Sequence, residues 1–167
     1  TALAEGEIIV KRKTYYVENP DLIVISKDSY IYQYDIVDRI RDGGTVLLNT
    51  GLSDLELEKS LPNKVKHMLA KKSAKVYVID AYKLVNELGL RNKISTCMEV
   101  CIFDLLKVLN INEVIGIMKE SNKKRFSRKG DNVVDINNRV VDNSISNLRV
   151  FNIREEWTNL EYEENED

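Results

Sequence analysis

The side chains able to do chemistry in this sequence are few, and they gather at three places. Cys97 and Cys101 stand four residues apart in a stretch of helical spacing, which puts both thiols on one helix face. Two thiolates could begin a metal site, but a closed zinc site needs four ligands, and the sole histidine, His67, lies in a different helix. The ordinary alternative is a pair of core cysteines, since free cysteine is among the most buried residue types. His67 sits among Lys64, Lys66, Lys71 and Lys72. That setting reads as a solvated helix face rather than a catalytic one. No Ser-His-Asp or Cys-His arrangement can be built around it, and no carboxylate pair stands out from the surface acids.

The second place is the pair of strand ends at Asn49-Thr50 and Asp80. Each follows a short apolar run, Thr45-Val46-Leu47-Leu48 and Val76-Tyr77-Val78-Ile79. In open α/β sheets ligands bind outside the carboxyl ends of the strands, so Asn49, Thr50 and Asp80 face any ligand bound there. Dinucleotide binding also needs a glycine-rich turn after a strand. Ile25-Ser26-Lys27, Leu48-Asn49-Thr50-Gly51 and Ile79-Asp80-Ala81 all lack paired glycines, which argues against a self-contained NAD or FAD site. Asn49 and Asp80 equally suit a structural role, capping helices and tying turns.

The third place is a basic turn, Arg91-Asn92-Lys93-Ile94-Ser95-Thr96, running into a helix. Thr96 and Glu99 have the spacing of a capping box. Free N–H groups and the helix dipole favour a negative charge there, so a phosphate or a partner's carboxylate could be held by Lys93, Ser95 and Thr96. A capped helix with solvated Arg91 and Lys93 is the structural alternative. The candidate binding residues are thus Asn49, Thr50, Asp80, Lys93, Ser95 and Thr96, with no catalytic residue and no metal ligand among them.

Positioning these groups requires an alternation of strands and helices. Leu22-Ile23-Val24-Ile25, Thr45 to Asn49 and Lys75 to Ile79 are compact enough to be strands buried on both faces. A loosely alternating segment at residues 7–17 reads as an edge strand or lead-in. Asp28 or Ser29 can cap a helix carrying Tyr32, Ile36, Val37 and Ile40, which Gly43-Gly44 stops. Ser53 and Glu56 form a second capping-box spacing flanked by Leu52 and Leu57, and Pro62 opens a helix over Asn63 to Lys72. Such alternation implies parallel pairing with right-handed crossovers.

The rest is helical. Ile94, Cys97, Met98, Cys101, Ile102 and Leu105 form one apolar stripe, while Val100, Phe103 and Leu106 add apolar surface elsewhere, so this helix is central or covered by a partner. Asn110 and Glu113 cap the next helix, with Ile111, Val114, Ile115, Met118 and Phe126 facing in. It ends in a basic run at Lys123–Lys129 and Gly130. A last helix runs from Asp131 to Leu148. The expected class is therefore α/β, a Rossmann-like three-layer parallel sheet with a C-terminal layer of three helices. Residues 1–150 read as one domain, and 151–167 as an acidic linker or tail.

Composition narrows the role. A chain of 167 residues, 43% apolar and 31% charged, suits one soluble globular domain. A net charge of −2 gives no basic footprint for nucleic acid. No apolar run is long enough to cross a bilayer, and two cysteines suit a reducing cytoplasmic setting. The first residue is Thr1 rather than Met, as in a processed chain or a piece of a longer one.

Lys75 to Phe103 carries a resemblance. Ile79-Asp80-Ala81, Gly89-Leu90, Lys93-Ile94-Ser95-Thr96, Met98 and Phe103 are similar, in order, to the gamma domain of pyruvate:ferredoxin oxidoreductase and other 2-oxoacid:acceptor oxidoreductases. Upstream, Tyr34-Asp35-Ile36, Gly43-Gly44-Thr45-Val46-Leu47-Leu48-Asn49 and Leu61-Pro62 resemble the same family. Downstream, so do Ile117-Met118-Lys119-Glu120-Ser121 and Arg128-Lys129-Gly130-Asp131-Asn132-Val133-Val134. The similarity spans residues 8–150 with few gaps.

The resemblance implies a role. Enzymes of this family decarboxylate a 2-oxoacid on thiamine diphosphate, pass electrons through iron–sulfur clusters to ferredoxin and transfer the acyl group to coenzyme A. The gamma domain is expected to hold neither thiamine nor clusters. It packs against the other domains or subunits on the coenzyme A side, and meets ferredoxin only through them. The match is divergent and N-terminally truncated. The family's glycine-rich opening segment lies before this chain, and Arg91, Lys93, Ser95 and Glu99 stand where the family carries Gly, Arg, Asn and Gln. These exchanges alter the charge of the basic turn. A Rossmann-like binding or scaffold module is the alternative.

Overall fold

The structure, a computed structural model, describes Ile8–Ile9 and residues 21–163. The chain packs as two compact units, one drawn from Thr1–Val78 and Arg149–Asp167 and the other from Ile79–Leu148.

The first unit is built on a sheet of five strands in the order β1-β2-β3-β4-β5: β1 Ile8–Ile9, β2 Leu22–Ile25, β3 Thr45–Asn49, β4 Lys75–Ile79 and β5 Arg149–Phe151. β1, β2 and β3 pair in parallel, with Ile23 opposite Val46 and Ile25 opposite Leu48. Because side chains alternate along a strand, this register puts Ile23, Ile25, Val46, Leu48, Val76 and Val78 into one core. Leu22, Val24 and Leu47 point the other way and are buried too. Burial on both faces is why these strands are unbroken apolar runs. Of the lead-in strand expected over 7–17, Ile8–Ile9 is seen as β1, and residues 10–17 lie outside the described residues.

Three helices cover the core face. The helix expected after Asp28 is broken into a 3₁₀ turn, Asp28–Tyr32, and a short helix α1, Tyr34–Asp38. Neither has a side-chain cap. The Lys72 ammonium donates to the carbonyls of Asp38 and Ile40 at the end of α1. Gly44 is required there, since a Cβ would stand 2.6 Å from the Ile40 side chain and 2.9 Å from the Arg41 carbonyl oxygen. α2, Asp54–Ser60, begins with the expected capping box between Ser53 and Glu56, and α3, Asn63–Lys71, starts after Pro62.

Two expectations change here. The sheet is not wholly parallel, because β5 runs antiparallel to β4, with Val78 opposite Arg149. Three residues are too few to announce a strand by periodicity. Arg149 holds it in place, donating from Nε to Asp54 and from Nη2 to the Leu52 carbonyl, both at 2.9 Å. Nor do residues 151–163 behave as an acidic tail. Phe151 and Trp157 are buried in the core of the first unit, and the Lys66 ammonium lies 5.5 Å from the Trp157 ring centre. One large aromatic anchor outweighs the surrounding acids.

The second unit contains α4 Ala81–Glu87, α5 Ser95–Leu106, α6 Ile111–Phe126 and α7 Asp131–Ser144. Gly89, at φ +95°, ends the α4 turn in the region glycine favours. The three long helices share a core of Val100, Val114, Met118 and Val141, which is the expected C-terminal layer. α5 buries Thr96, Cys97, Met98, Val100, Cys101 and Ile102 within this chain, so its all-round apolar character marks a central helix. Ile111, expected to face in, is exposed. Among the described residues no helix is long and apolar enough to cross a membrane.

Candidate functional site

The carboxyl ends of β2 and β3 carry a small polar cluster in the first unit. Asn49 and Thr50 are buried, each only 3% exposed. Asn49 donates from its amide to the Ser26 carbonyl at 3.2 Å. Thr50 Oγ1 donates to Asp28 Oδ2 at 2.9 Å and accepts from the Leu52 N–H at 3.1 Å. The turn after β2 is thereby fastened to the loop between β3 and α2. Asp28, expected only as a helix cap, is the residue that sequence reasoning did not place here. Its signal was available: it follows the end of a neighbouring strand, where the same crevice rule applies.

The remaining candidates belong to the second unit. Asp80 caps α4, its carboxylate accepting from the Lys83 N–H at 3.1 Å. The basic turn is ordered by Asn86, which donates to the Asn92 side chain at 2.9 Å and accepts from the Asn92 N–H at 2.7 Å. α5 then starts with Ile94 at its N-cap and no side-chain cap. The expected capping box at Thr96 is not formed, because Thr96 lies inside the first turn and is buried. Glu99 instead pairs with Arg125 at 3.6 Å. Lys93 and Ser95 are exposed beside this uncapped start, with its free N–H groups.

The cysteines are core residues. Both are fully buried, and each thiol's proton affinity is governed first by the other, with the Ser144 hydroxyl a lesser influence on Cys97. The bond with Cys97 and then burial push the Cys101 thiol up, out of the range of a reactive thiolate. Cys97 is drawn down by its bond from Cys101, against the cost of burial. Among the described residues no three His, Cys, Asp or Glu side chains gather where they could hold a metal. His67 is not a freely solvated surface group as expected. It is half-buried, its ring centre lies 5.2 Å from that of Tyr162, and its Nδ1 is enclosed without a hydrogen-bond partner.

What the geometry offers is a tied pair of strand ends and an uncapped helix start flanked by cations. Residues 5–146 match the family described as pyruvate ferredoxin/flavodoxin oxidoreductase. The chain belongs to that family.

Its relatives agree. The chain is 35% identical over 144 residues to the pyruvate-flavodoxin oxidoreductase of Trichormus variabilis, covering 86% of this chain and 12% of the relative. It is 32% identical over 146 residues to the pyruvate:ferredoxin oxidoreductase of Moorella thermoacetica, covering 87% of this chain and again 12% of the relative. The fold is similar to that of pyruvate oxidoreductase subunit PORC from Thermotoga maritima, with a TM-score of 0.61, 20% identity, and 80% of this chain and 66% of that one covered. This member of the pyruvate oxidoreductase family therefore spans about one eighth of the length of the two curated relatives named here.

Proposed function

We propose that this chain is the gamma-type part of a pyruvate or other 2-oxoacid:ferredoxin or flavodoxin oxidoreductase. In that enzyme a 2-oxoacid is oxidatively decarboxylated to an acyl-CoA, and the reaction requires partner domains or subunits. The observation that carries this reading is the family match over residues 5–146. Thiamine diphosphate and iron–sulfur clusters belong to the partner domains on this reading. In support, a four-cysteine cluster needs more than the two cysteines the chain has, and both of these are enclosed in a helical core.

The chain's own share is the coenzyme A side. Coenzyme A is polyanionic, and Lys93 and Ser95 beside the uncapped start of α5 have the chemistry to meet a phosphate. Asn49, Thr50, Asp80 and Thr96 complete the candidate set. A second reading, a non-catalytic scaffold, is favoured by the internal hydrogen bonds of Asn49, Thr50 and Asp80 and by the burial of Thr96.

The test is made on the intact native protein. It is expected to contain thiamine diphosphate and iron and to reduce ferredoxin or flavodoxin with pyruvate or another 2-oxoacid plus coenzyme A. An intact protein with no thiamine, no iron and no 2-oxoacid turnover overturns the reading. Lys93→Ala is expected to raise the KM for coenzyme A severalfold with the KM for the 2-oxoacid unchanged. An unchanged KM for coenzyme A leaves the scaffold role.

A further inference from the structure

Among the described residues three that are not glycine adopt a left-handed backbone, and one of them, Asn92 at φ +56°, sits at the tip of the basic turn. The root of that turn is settled by the core. Leu90 is buried and its N–H donates to the Val85 carbonyl at 2.8 Å, while the Lys93 N–H donates to the Leu90 carbonyl at 2.9 Å. The tip differs, since Arg91, Asn92 and Lys93 are all exposed. One further side chain holds it. Asn86, near the end of α4, accepts from the Asn92 N–H at 2.7 Å and donates to Asn92 Oδ1 at 2.9 Å. Both arms of one amide thus grip one residue, fixing its backbone and its side chain together. Asparagine is among the few side chains that tolerate the left-handed region, so residue type and clasp agree. Glu99, the first acid of α5, is paired with Arg125 at 3.6 Å.

An exposed turn gains little stability from such a clasp, because water offers the same polar groups hydrogen bonds in its absence. The clasp matters for what the turn carries. Asn92 is flanked by two cations, Arg91 and Lys93, and the free N–H groups at the uncapped start of α5 follow directly. We infer that Asn86 is a positioning residue for the anion held by Lys93, keeping the turn in its binding shape before the phosphate arrives. This rests on the reading above, that Lys93 meets a phosphate of coenzyme A. Fixing a cationic turn beforehand lowers the entropic cost of binding, and the gain appears as affinity for the charged ligand alone. The 2-oxoacid, which on that reading binds in the partner domains, gains nothing from it.

Steady-state kinetics of the intact oxidoreductase test this. Asn86 is exposed, so Asn86→Ala is expected to fold. Its KM for coenzyme A is expected to rise about threefold to tenfold, with kcat and the KM for the 2-oxoacid unchanged. Because Asn86 acts through the turn, the same substitution in a Lys93→Ala background is expected to add less than about a twofold change. Asn143→Ala is the control. Asn143 is an equally exposed asparagine on α7 that donates to the Arg139 carbonyl at 2.7 Å, and its loss is expected to leave both KM values unchanged. An Asn86→Ala enzyme with an unchanged KM for coenzyme A, where Lys93→Ala raises it, overturns the positioning role and leaves the coenzyme A reading in place. So does an effect that multiplies in full with that of Lys93→Ala, or one that shifts both KM values alike. If neither Lys93→Ala nor Asn86→Ala changes the KM for coenzyme A, the coenzyme A reading is defeated and the inference falls with it.

Discussion

Thr50 donates its hydroxyl hydrogen to Asp28 across 2.9 Å, joining the carboxyl ends of two adjacent parallel strands. The same oxygen accepts from the Leu52 N–H, so one buried hydroxyl serves two loops. A ligand crevice and a structural tie place the same residue types at a strand end. What separates them is whether the groups are already engaged, and here they are.

Thr50→Val is therefore expected to lower stability by about 1–3 kcal/mol, because it leaves the Asp28 carboxylate and the Leu52 N–H without their partner. Thr50→Ser, which keeps the oxygen, is expected to cost much less. Urea unfolding of both variants checks the difference in midpoint at constant slope.

At the start of α2, Ser53's backbone N–H first and its hydroxyl second hold the Glu56 carboxyl below the usual glutamate range. A depressed pKa in the folded state means that the stabilisation is present above the unfolded value and is lost as pH falls through the folded one. Glu56→Ala, which removes the carboxylate that Ser53's N–H holds, is expected to lower Tm by about 2–4 °C at neutral pH. Thermal melts between pH 7 and pH 3 should show that difference shrinking toward the acid end. A difference that stays constant with pH would mean that Glu56 takes no part in the cap.

Trp157→Ala tests whether the acidic end belongs to the folded unit. The ring is 5% exposed, and its centre lies 6.2 Å from that of Phe151. Its loss is expected to cost about 3–5 kcal/mol, the range for removing a buried aromatic. An unchanged denaturation curve would return this segment to the status of a tail.

Cys101 predicts an alkaline effect. Its folded thiol is pushed above the ordinary value of 9.0 by the bond with Cys97 and by burial, so the folded state holds its proton more tightly than the unfolded chain. Stability from this group is complete below that value and declines as pH rises past it. The double variant Cys97→Ala, Cys101→Ala, which removes both members of the linked pair, is expected to be less stable near neutral pH but to lose less between pH 8 and pH 10. Parallel curves for variant and wild type would show that the thiol does not titrate with unfolding.

Several elements were legible in the residues themselves because their causes are local. Ser53 with Glu56 and Asn110 with Glu113 announce helix starts, since a cap is a contact between residues three apart. The runs Leu22–Ile25 and Thr45–Asn49 are apolar throughout because both faces of those strands are covered. The ordered motifs over residues 8–150 pointed to the family that the match over 5–146 establishes. Thr96 shows where local reasoning misleads. Its spacing to Glu99 suits a capping box, yet the cap position falls two residues earlier, at Ile94, and packing draws Thr96 inside.

Other features depended on contacts between distant residues, for which one-dimensional spacing carries no signal. Arg149 reaches Asp54 and Leu52 from almost a hundred positions away, and that reach fixes β5 as an antiparallel edge. Trp157 converts an acid-rich end into part of a core because a single large apolar surface, once given a place to pack, outweighs the polarity around it. Thr50 was recognisable as a strand-end polar residue, but only the tertiary arrangement supplied Asp28 as its partner. The chain's types and periods decided the elements and the kinship. Long-range closure decided which polar groups were already satisfied and which apolar ones, at Val108, Leu109 and Ile111, were left facing out.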